Sequence, residues 1–377
     1  MEPKLDLEQI REDEGRGIPY AKRKSRKRRK KKKILKVILV ILLLIFLGMM
    51  VSGGILYYSG QKKIKEKGNA SRPELKPITT KEVEVHTEIL DEDTLKYKGK
   101  KYKYNEDMIN FLFMGIDTSG TVNSEASLQE NREAGQADTL LLAALNNKEK
   151  TVTLIPVNRD TMTEISIYDI HGSFSGKQKE QVALSYAYGD GGKKSAQLAQ
   201  EAISNLFYGL PIHGYFAINT SAIAIVNDMV GGVEVTLTED MTDKNPAYTK
   251  GNQVLLQGTE AESYLRQRDG IGDGTNAARM ERQKQYLLAL ASKLLTEVKG
   301  NLTLPVSIYQ SVSDYMVTDI SVDEVAYLAS QAVNYSLDSD FIRSIPGETK
   351  TDVYTQFYPD EKVLYELILD VFYEKVP

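Results

Sequence analysis

The distribution of arginine in this sequence is the first indication of chemistry. After residue 58 only eight arginines occur, and four of them lie within seventeen residues: Arg266, Arg268, Arg279 and Arg282. A guanidinium group binds phosphate or carboxylate through two parallel hydrogen bonds, which an ammonium group cannot match. The cluster therefore predicts an anion site. The alternative is an exposed helix face whose arginines pair with neighbouring carboxylates.

Two aspartates mark the ends of apolar segments that have the length of strands. Asp117 follows the segment FLFMGI, and Asp138 precedes the segment TLLLAALN. Carboxylates at the ends of neighbouring strands can converge on one crevice and hold Mg²⁺ together with the oxygens of a diphosphate. Aspartate at a strand end is also a common turn former, so the spacing alone leaves both interpretations open.

Composition disfavours several other kinds of site. The sequence has no cysteine, and its three histidines, His86, His171 and His213, are too far apart to form a helical or hairpin metal pair. Thiol chemistry is therefore excluded, and a zinc hydrolase is disfavoured. Residues 37–377 carry 33 basic and 46 acidic side chains, a net charge of −13, which argues against nucleic acid as a partner.

A membrane segment is predicted near the N-terminus. Residues 34–58 form an apolar run whose one charge is Lys36, and its length matches the hydrocarbon core of a bilayer. Residues 22–33 before it contain eleven basic residues, which predicts a cytoplasmic tail over residues 1–33, contact with membrane lipids and an extracellular main domain. The alternatives are a cleaved signal peptide and, for the basic run, a nucleic-acid patch.

The rest of the chain divides into a linker and a large domain. Residues 59–105 are polar, rich in lysine and interrupted by prolines, which predicts an extracellular stalk. In residues 106–377, strand-length apolar runs alternate with longer helical segments, notably 193–207, 259–268 and 277–299. This alternation predicts a layered α/β/α domain with a central mixed sheet. Segments 215–219 and 233–238 are expected to form a strand pair, and 342–345 a further strand.

Six motifs in this domain carry a resemblance to a known family. In chain order they are FLFMGIDTSG, ADTLLLAALN, VNRDTM, SYAYGDGG, MVGGVEVTLTED and YLRQRDGIGDGTNAARMERQ. Together they resemble the motif series of the LytR-CpsA-Psr family, with coverage from about Ile109 to the C-terminus. Each motif is modest on its own, but six in the same order make the match specific.

The resemblance implies a function and a set of site residues. Members of the family transfer a phosphate-linked glycopolymer, such as teichoic acid or capsule, from an undecaprenyl-pyrophosphate carrier to peptidoglycan in Gram-positive cell walls, with Mg²⁺ as cofactor. By this resemblance Asp117 and Asp138 hold the metal and, with Arg159, are catalytic. The pyrophosphate-binding set that the resemblance implies is Arg159, Arg266, Arg268, Arg279, Arg282, Gln283 and Gln136.

Two departures from the family pattern bear on activity. Gln136 stands where the family usually has arginine, and Gln181 stands where it usually has lysine. Because charge-assisted hydrogen bonds hold a diphosphate, the loss of two cations could weaken its binding by roughly a few kcal/mol. Two alternatives to transfer therefore stay open: a non-catalytic envelope scaffold or regulator that binds polyprenyl phosphates or glycopolymers, and a lipid pyrophosphatase.

One further residue, Asp160, and one further segment, 286–290, have two interpretations each. Asp160, which follows Arg159, could belong to the site or could only hydrogen-bond the turn after its strand. The apolar helical segment 286–290 could line a groove for a prenyl chain, or it could belong to the ordinary core.

Overall fold

The computed structural model describes residues 54–69, 73, 87–122, 134–169, 171–242, 245–266, 276–336 and 341–377. The chain divides into two compact units, Met1–Ile55 and Leu56–Pro377, and the fold below is that of the second unit. The predicted basic tail and residues 34–53 of the predicted membrane segment lie outside the described residues. Among the residues that are described, no helix has both the length and the apolar character needed to cross a bilayer.

The described part of the second unit contains helices and strands in alternation. Residues 56–69 of the second unit belong to the first helix, α1, which covers residues 54–69. In chain order the other elements are β1 (Thr87–Ile89), β2 (Thr94–Tyr97), β3 (Lys100–Tyr104), β4 (Met108–Ile116), β5 (Ala137–Asn146), β6 (Thr151–Val157), β7 (Met162–Tyr168), β8 (Phe174–Gln181), α2 (Leu184–Ala187), α3 (Lys193–Leu206), β9 (Gly214–Asn219), α4 (Ser221–Met229), β10 (Val233–Thr236), β11 (Gln253–Leu256), α5 (Thr259–Arg266), α6 (Asn276–Gly300), α7 (Leu304–Val312), β12 (Met316–Thr318), α8 (Val322–Ala332), β13 (Gly347–Thr351), β14 (Thr355–Pro359), α9 (Glu361–Phe372) and β15 (Tyr373–Val376).

A five-stranded mixed sheet forms the centre of the domain. Its strand order is β12-β9-β4-β5-β6, and β4 runs parallel to β9 while the other neighbours are antiparallel. The apolar runs of the sequence form β4, β5 and β6, as predicted, because their side chains are buried on both faces of the sheet. The predicted α/β class with a central mixed sheet is therefore confirmed.

Helices cover both faces of this sheet. On one face, Leu112 and Leu142 pack in a single core with Ala199 of α3 and Ile368 of α9. On the opposite face, neighbouring strand positions such as Ala143 turn toward α6 and its neighbours. Alternate residues of each central strand therefore support different helical layers, which is the layered arrangement that the sequence predicts.

Two predicted strand assignments are wrong. The segments at 215–219 and 233–238 do not pair with each other: β9 lies between β4 and β12, whereas β10 pairs with β11 in a separate two-stranded sheet. The helix α4 intervenes between β9 and β10 and carries the chain away from the central sheet. The predicted strand at 342–345 is reduced to an isolated bridge between Leu154 and Ile342.

The structure also differs from the predicted stalk over residues 59–105. Residues 87–104 form β1, β2 and β3, and β3 pairs with β15 from the C-terminus. Leu95 and Tyr97 are buried in a cluster with Tyr365 and Leu369 of α9. These strands were not recognised as part of the domain because their lysine-rich outer face hides the alternation, and their partner strand lies far away in the sequence.

The helix α1 packs against α8 in the same unit. Ile64 is 4% exposed, and Lys63 forms an ion pair with Asp323 at 2.9 Å. Lys67 lies 3.2 Å from the buried carboxylate of Glu324. A Cβ at Gly60 would overlap the backbone carbonyl of Asp323, so glycine is needed for the two helices to approach this closely. The described part of the predicted linker is therefore held to the domain by specific contacts.

Candidate functional site

A cavity of about 800 Å³ lies between the central sheet and the helices α4 to α8. Its walls come from β4, β5, β6 and β9 on one side and mainly from α6, α7 and α8 on the other. Tyr286, Leu287 and Leu290 line it, so three residues of the segment proposed as a prenyl groove do face the cavity. The walls are mostly aliphatic and aromatic, which suits a long apolar ligand.

A polar cluster lies at the end of the cavity where β4 ends and β5 begins. Because β4 and β5 are antiparallel neighbours, Asp117 after β4 comes close to the start of β5. The backbone N–H of Gln136 donates to Oδ1 of Asp117 at 2.7 Å. Gly135 has a φ of 79°, and a Cβ there would lie 2.9 Å from the same oxygen. The turn before β5 is therefore shaped around the Asp117 carboxylate.

Arg159 joins this cluster from the end of β6. Its Nη1 donates to Oδ1 of Asp138, and its Nη2 donates to the side-chain oxygen of Gln136 at 2.5 Å. Nη2 of Arg279 lies 3.8 Å from Oδ2 of Asp138. Asp138 is thus placed between two guanidinium groups, which reduces their mutual repulsion and keeps both close to the cavity.

The helices α5 and α6 bring the other predicted residues to the same place. Arg266, the last residue of α5, lines the cavity and forms an ion pair with Glu262 at 2.7 Å. Gln283 also lines the cavity, and its side-chain nitrogen donates to the carbonyl of Leu265 at 3.2 Å. The side chains of the predicted set that share this cavity are Asp117, Gln136, Asp138, Arg159, Arg266, Arg279 and Gln283.

Among the described residues, two that the sequence singles out, Arg282 and Gln181, do not line the cavity. Arg268 lies outside the described residues. Arg282 is not among the cavity-lining residues and forms an ion pair with Glu239 at 2.7 Å, so the structure does not support its predicted contact with pyrophosphate. Gln181 donates to Asp160 at 3.1 Å and to the carbonyl of Thr355, also away from the cavity.

Asp160 lies in the turn after β6, where its side chain is buried and lies 3.5 Å from Nε of Arg159. Its backbone carbonyl accepts the N–H of Phe357 at 2.8 Å, and its side chain accepts from Gln181. Burial raises the pKa of Asp160 above its ordinary value, although the nearby Arg159 and Arg279 oppose the shift. Asp160 thus joins β8 and β14 to the segment that carries Arg159.

Two polar residues of this end were not predicted. Asn219, the last residue of β9, and Thr220, the residue after it, line the cavity. The side-chain nitrogen of Asn219 donates to the carbonyl of Gly120 at 2.6 Å, and the hydroxyl of Thr220 donates to the carbonyl of Thr118. The sequence signal was the polar run after an apolar strand. That this polar run reaches the cavity depends on β9 being parallel to β4, and the sequence alone does not show this pairing.

Asp117 and Asp138 lie at the same end of the cavity, but within the described ranges no three His, Cys, Asp or Glu side chains gather closely enough to hold a metal ion. A magnesium ion commonly takes only one or two protein carboxylates and completes its shell with water and substrate phosphates. Two carboxylates at one end of the cavity are the number of protein ligands that such an ion would need.

The fold and site define an α/β protein whose apolar cavity ends in a cluster of guanidinium and carboxylate groups. The model of the LytR_cpsA_psr family matches residues 75–367. The chain therefore belongs to the LytR-CpsA-Psr family, as the six motifs indicated.

Named relatives of this chain are transferases. Polyisoprenyl-teichoic acid–peptidoglycan teichoic acid transferase TagU of Enterococcus faecalis is 32% identical over 229 residues, which is 60% of this chain and 66% of the relative. TagU of Halalkalibacterium halodurans is 26% identical over 68% of this chain and 76% of the relative. The transferase TagV of Bacillus subtilis is 28% identical, and the chain covers half of its length.

Solved structures share the fold. The crystal structure of B. subtilis TagV has a TM-score of 0.51 at 23% identity, covering 71% of this chain and 96% of TagV. The Streptococcus agalactiae protein gbs0355 has a TM-score of 0.53 at 20% identity, covering 72% and 91%. A structure of TagT bound to LI-WTA gives 0.51 at 17% identity, covering 70% and 89%. These likenesses support the mixed α/β architecture.

Proposed function

We propose that this protein is a phosphotransferase-type ligase that moves a phosphate-linked glycopolymer from a polyprenyl-pyrophosphate carrier to peptidoglycan. The observation that supports this most directly is the continuity of a mostly apolar cavity with a cluster of arginines and aspartates. An amphiphile with a long hydrocarbon tail and an anionic head matches both parts. The transferase names of its relatives support the reaction class.

The apolar part of the cavity would take the prenyl chain. Phe113 and Phe216 stack with ring centroids 5.1 Å apart and line the sheet side, and Leu287 lines the cavity from α6. Each buried methylene contributes about 0.8 kcal/mol to transfer out of water, so a few isoprene units already make a large contribution. This hydrophobic contribution would hold the carrier in the cavity, but it would not distinguish one glycopolymer from another.

The polar end would take the diphosphate. Arg159 and Arg279 both contact Asp138, so they are held near each other before any substrate binds. Arg266 is half-exposed at the same end and can turn toward an incoming phosphate. Preorganised guanidinium groups stabilise the charge that develops on a leaving phosphate without a reorganisation cost during the reaction.

Asp117 and Asp138 are the residues that would hold Mg²⁺ in this proposal. When bound there, the ion would supply neutralisation of the diphosphate charge. The protein's own contribution is to keep both carboxylates at one end of the cavity, through the Gln136 N–H that holds Asp117 and the arginines that flank Asp138.

In the reaction, an acceptor sugar hydroxyl forms a new P–O bond to the phosphorus that carries the glycopolymer. The P–O bond to the second phosphate breaks, and polyprenyl phosphate leaves with its bonding electron pair while the hydroxyl proton passes to a nearby base. The arginines stabilise the leaving phosphate, and a carboxylate of the cluster orients the acceptor. By the family resemblance the acceptor is the C6 hydroxyl of muramic acid.

The surroundings of Gln136 and Gln181 bear on how much these two departures from the family pattern would weaken diphosphate binding. Gln136 accepts a hydrogen bond from Arg159, so its neutral amide helps to orient a guanidinium that lines the cavity. Gln181 lies outside the cavity lining, and its amide joins Asp160 to Thr355. The neutral amide of Gln181 therefore does not remove a positive charge from the cavity wall.

The test is a reconstituted reaction. The full chain is incubated with a labelled polyprenyl-pyrophosphate-linked glycan, peptidoglycan fragments and Mg²⁺. Label on peptidoglycan supports transfer, and released water-soluble glycan phosphate indicates hydrolysis. Label on an intact carrier that stays bound to the protein indicates binding without turnover. Asp138→Ala is expected to abolish transfer, whereas the exposed Asp370→Ala serves as the matched control. Full activity in Asp138→Ala would remove Asp138 from the mechanism.

We also propose that the domain lies outside the cell, on the basis of the basic run before the apolar segment. Because the chain has no cysteine, single substitutions can report topology without background. A membrane-impermeant maleimide should label Val353→Cys, whose position is 89% exposed, and should not label Ser25→Cys in intact cells. Labelling of the tail alone would reverse the orientation.

A further inference from the structure

Arg282 is the residue whose position departs most from the role that the family resemblance implies. Its side chain is 2% exposed and does not line the cavity. Its Nη1 donates to Oε1 of Glu239 at 2.7 Å, and its Nε donates to the backbone carbonyl of Tyr264 at 3.1 Å. A buried guanidinium held by a carboxylate and a carbonyl is placed to organise structure around it.

The contacts of Arg282 lie at the end of α5. Tyr264 and Leu265 belong to the last turn of that helix, whose carbonyls have no partner within the helix itself. Arg282 donates to the first carbonyl and Gln283 donates to the second, so α6 caps the end of α5. A cation at a helix C-terminus is also favoured by the helix dipole.

This cap lies directly beside the anion site. Arg266 is the residue that follows Leu265, and Arg279 is one helical turn before Arg282 on α6. Both arginines line the cavity, so the angle between α5 and α6 decides where two guanidinium groups lie. Within the described residues, the side-chain hydrogen bonds that join α5 to α6 come from Arg282, Gln283 and Gln285.

Further hydrogen bonds extend the same joint. The hydroxyl of Tyr264 donates to Gln285 at 2.7 Å, and the side-chain nitrogen of Gln285 donates to the carbonyl of Thr236 at 2.6 Å. Thr236 ends β10, and Glu239 follows it by three residues. The end of β10 supplies a carbonyl, and the loop after it supplies the counter-charge, that hold α6 in place beside α5.

We infer that Arg282 and Glu239 form a positioning pair that sets the placement of Arg266 and Arg279, and that Arg282 does not contact the diphosphate. This inference rests on the proposed function, because it concerns the same anion site. It predicts that loss of either member has the same consequence for anion binding. A direct phosphate contact by Arg282 predicts the opposite, since Glu239→Gln would then free the guanidinium for the ligand.

The experiment compares Glu239→Gln, Arg282→Met and the double variant in the full chain. The probes are a prenyl diphosphate and the prenyl alcohol of the same length, and the measured quantity is the ratio of their affinities. Under the inference both single variants lower this ratio by about tenfold or more, the double variant lowers it no further than either single one, and alcohol affinity stays within about threefold. A general loosening of the fold would lower both affinities together.

A matched control separates this effect from lost stability. Tyr335→Phe removes a partly buried hydrogen bond to Asn147, and neither of these two residues lines the cavity. It should lower the Tm while leaving the affinity ratio unchanged. An unchanged or higher ratio in Glu239→Gln, together with a fall in Arg282→Met, would overturn the inference and make Arg282 a direct ligand. Absence of any diphosphate preference in the wild-type protein would overturn both the inference and the proposed function.

Discussion

The cavity makes a quantitative prediction about the length of the lipid. Ala143 lies in the middle of β5, is 5% exposed and lines the cavity opposite α6. Its neighbours across the sheet are Phe111 and Leu154, so the position already tolerates a large apolar neighbour on either side. Ala143→Phe therefore adds a ring that projects into the space proposed for the prenyl chain.

The expected loss of affinity in Ala143→Phe follows from the number of prenyl carbons that the added ring displaces. The added ring has about the bulk of one isoprene unit, and at roughly 0.8 kcal/mol per buried methylene its displacement costs at most about 4 kcal/mol. If the chain shifts and recovers half of this burial, about 2 kcal/mol is lost, which corresponds to roughly a 30-fold weaker Kd. A short prenyl diphosphate that does not reach Ala143 should keep its affinity within about threefold.

The assay is calorimetric titration of the full chain with a long and a short prenyl diphosphate. Leu141→Ala, two residues earlier on the same face of β5, enlarges the cavity instead of filling it and is the matched comparison. It should retain the long-chain ligand within about fivefold, with thermal unfolding measured for both variants. Equal affinities of Ala143→Phe and wild type for the long ligand would refute the placement of the tail in this cavity.

Three further predictions follow from single positions. Gln136→Arg places a second cation beside Arg159 and should lower the KM for the diphosphate donor by up to about tenfold with turnover retained; lost turnover would show that this amide is needed to orient Arg159. Gly60→Leu should detach α1 by collision with the Asp323 carbonyl, seen as fast hydrogen exchange over residues 56–69, and unchanged protection would contradict the docking. Burial lowers the pKa of His213 to about 4, so the unfolded chain binds a proton that the folded chain excludes, and stability falls by up to about 3 kcal/mol as pH drops from 6.5 toward 4. His213→Gln should flatten that part of a urea-unfolding series, and an unchanged slope would contradict the assignment.

Much of the site could be read from the sequence because its residues mark the ends of regular elements. Asp117 and Asp138 were identified as strand-end carboxylates, and the structure places them at one edge because β4 and β5 are antiparallel neighbours. For the apolar segment 286–290 the sequence leaves two interpretations open, a groove lining and the ordinary core, and in the structure Tyr286, Leu287 and Leu290 line the cavity. Their roles in catalysis stay predictions that the experiments above would test.

The surroundings of Arg279 and Arg282 could not be predicted from the sequence. Arg279 and Arg282 are three residues apart on one helix, which predicts a shared face. The structure gives them different surroundings, Asp138 for Arg279 and Glu239 for Arg282. Three residues advance an α-helix by about 300°, so a neighbouring pair can face two different elements when both pack against the same helix. Which residue faces the cavity depended on where α5 packs.

The sequence by itself determined the local elements: the apolar strands, the amphipathic helices, the acidic domain and the clustering of arginines, all of which depend on the spacing of residue types along the chain. Tertiary structure alone decided which elements meet. Strands β1 to β3 belong to the domain because β3 pairs with β15. The lysines of α1 form ion pairs with carboxylates of α8 that lie more than 250 residues away in the sequence. Such pairings depend on complementary surfaces that no local spacing encodes, because a lysine-rich segment has the same pattern whether it is solvated or docked.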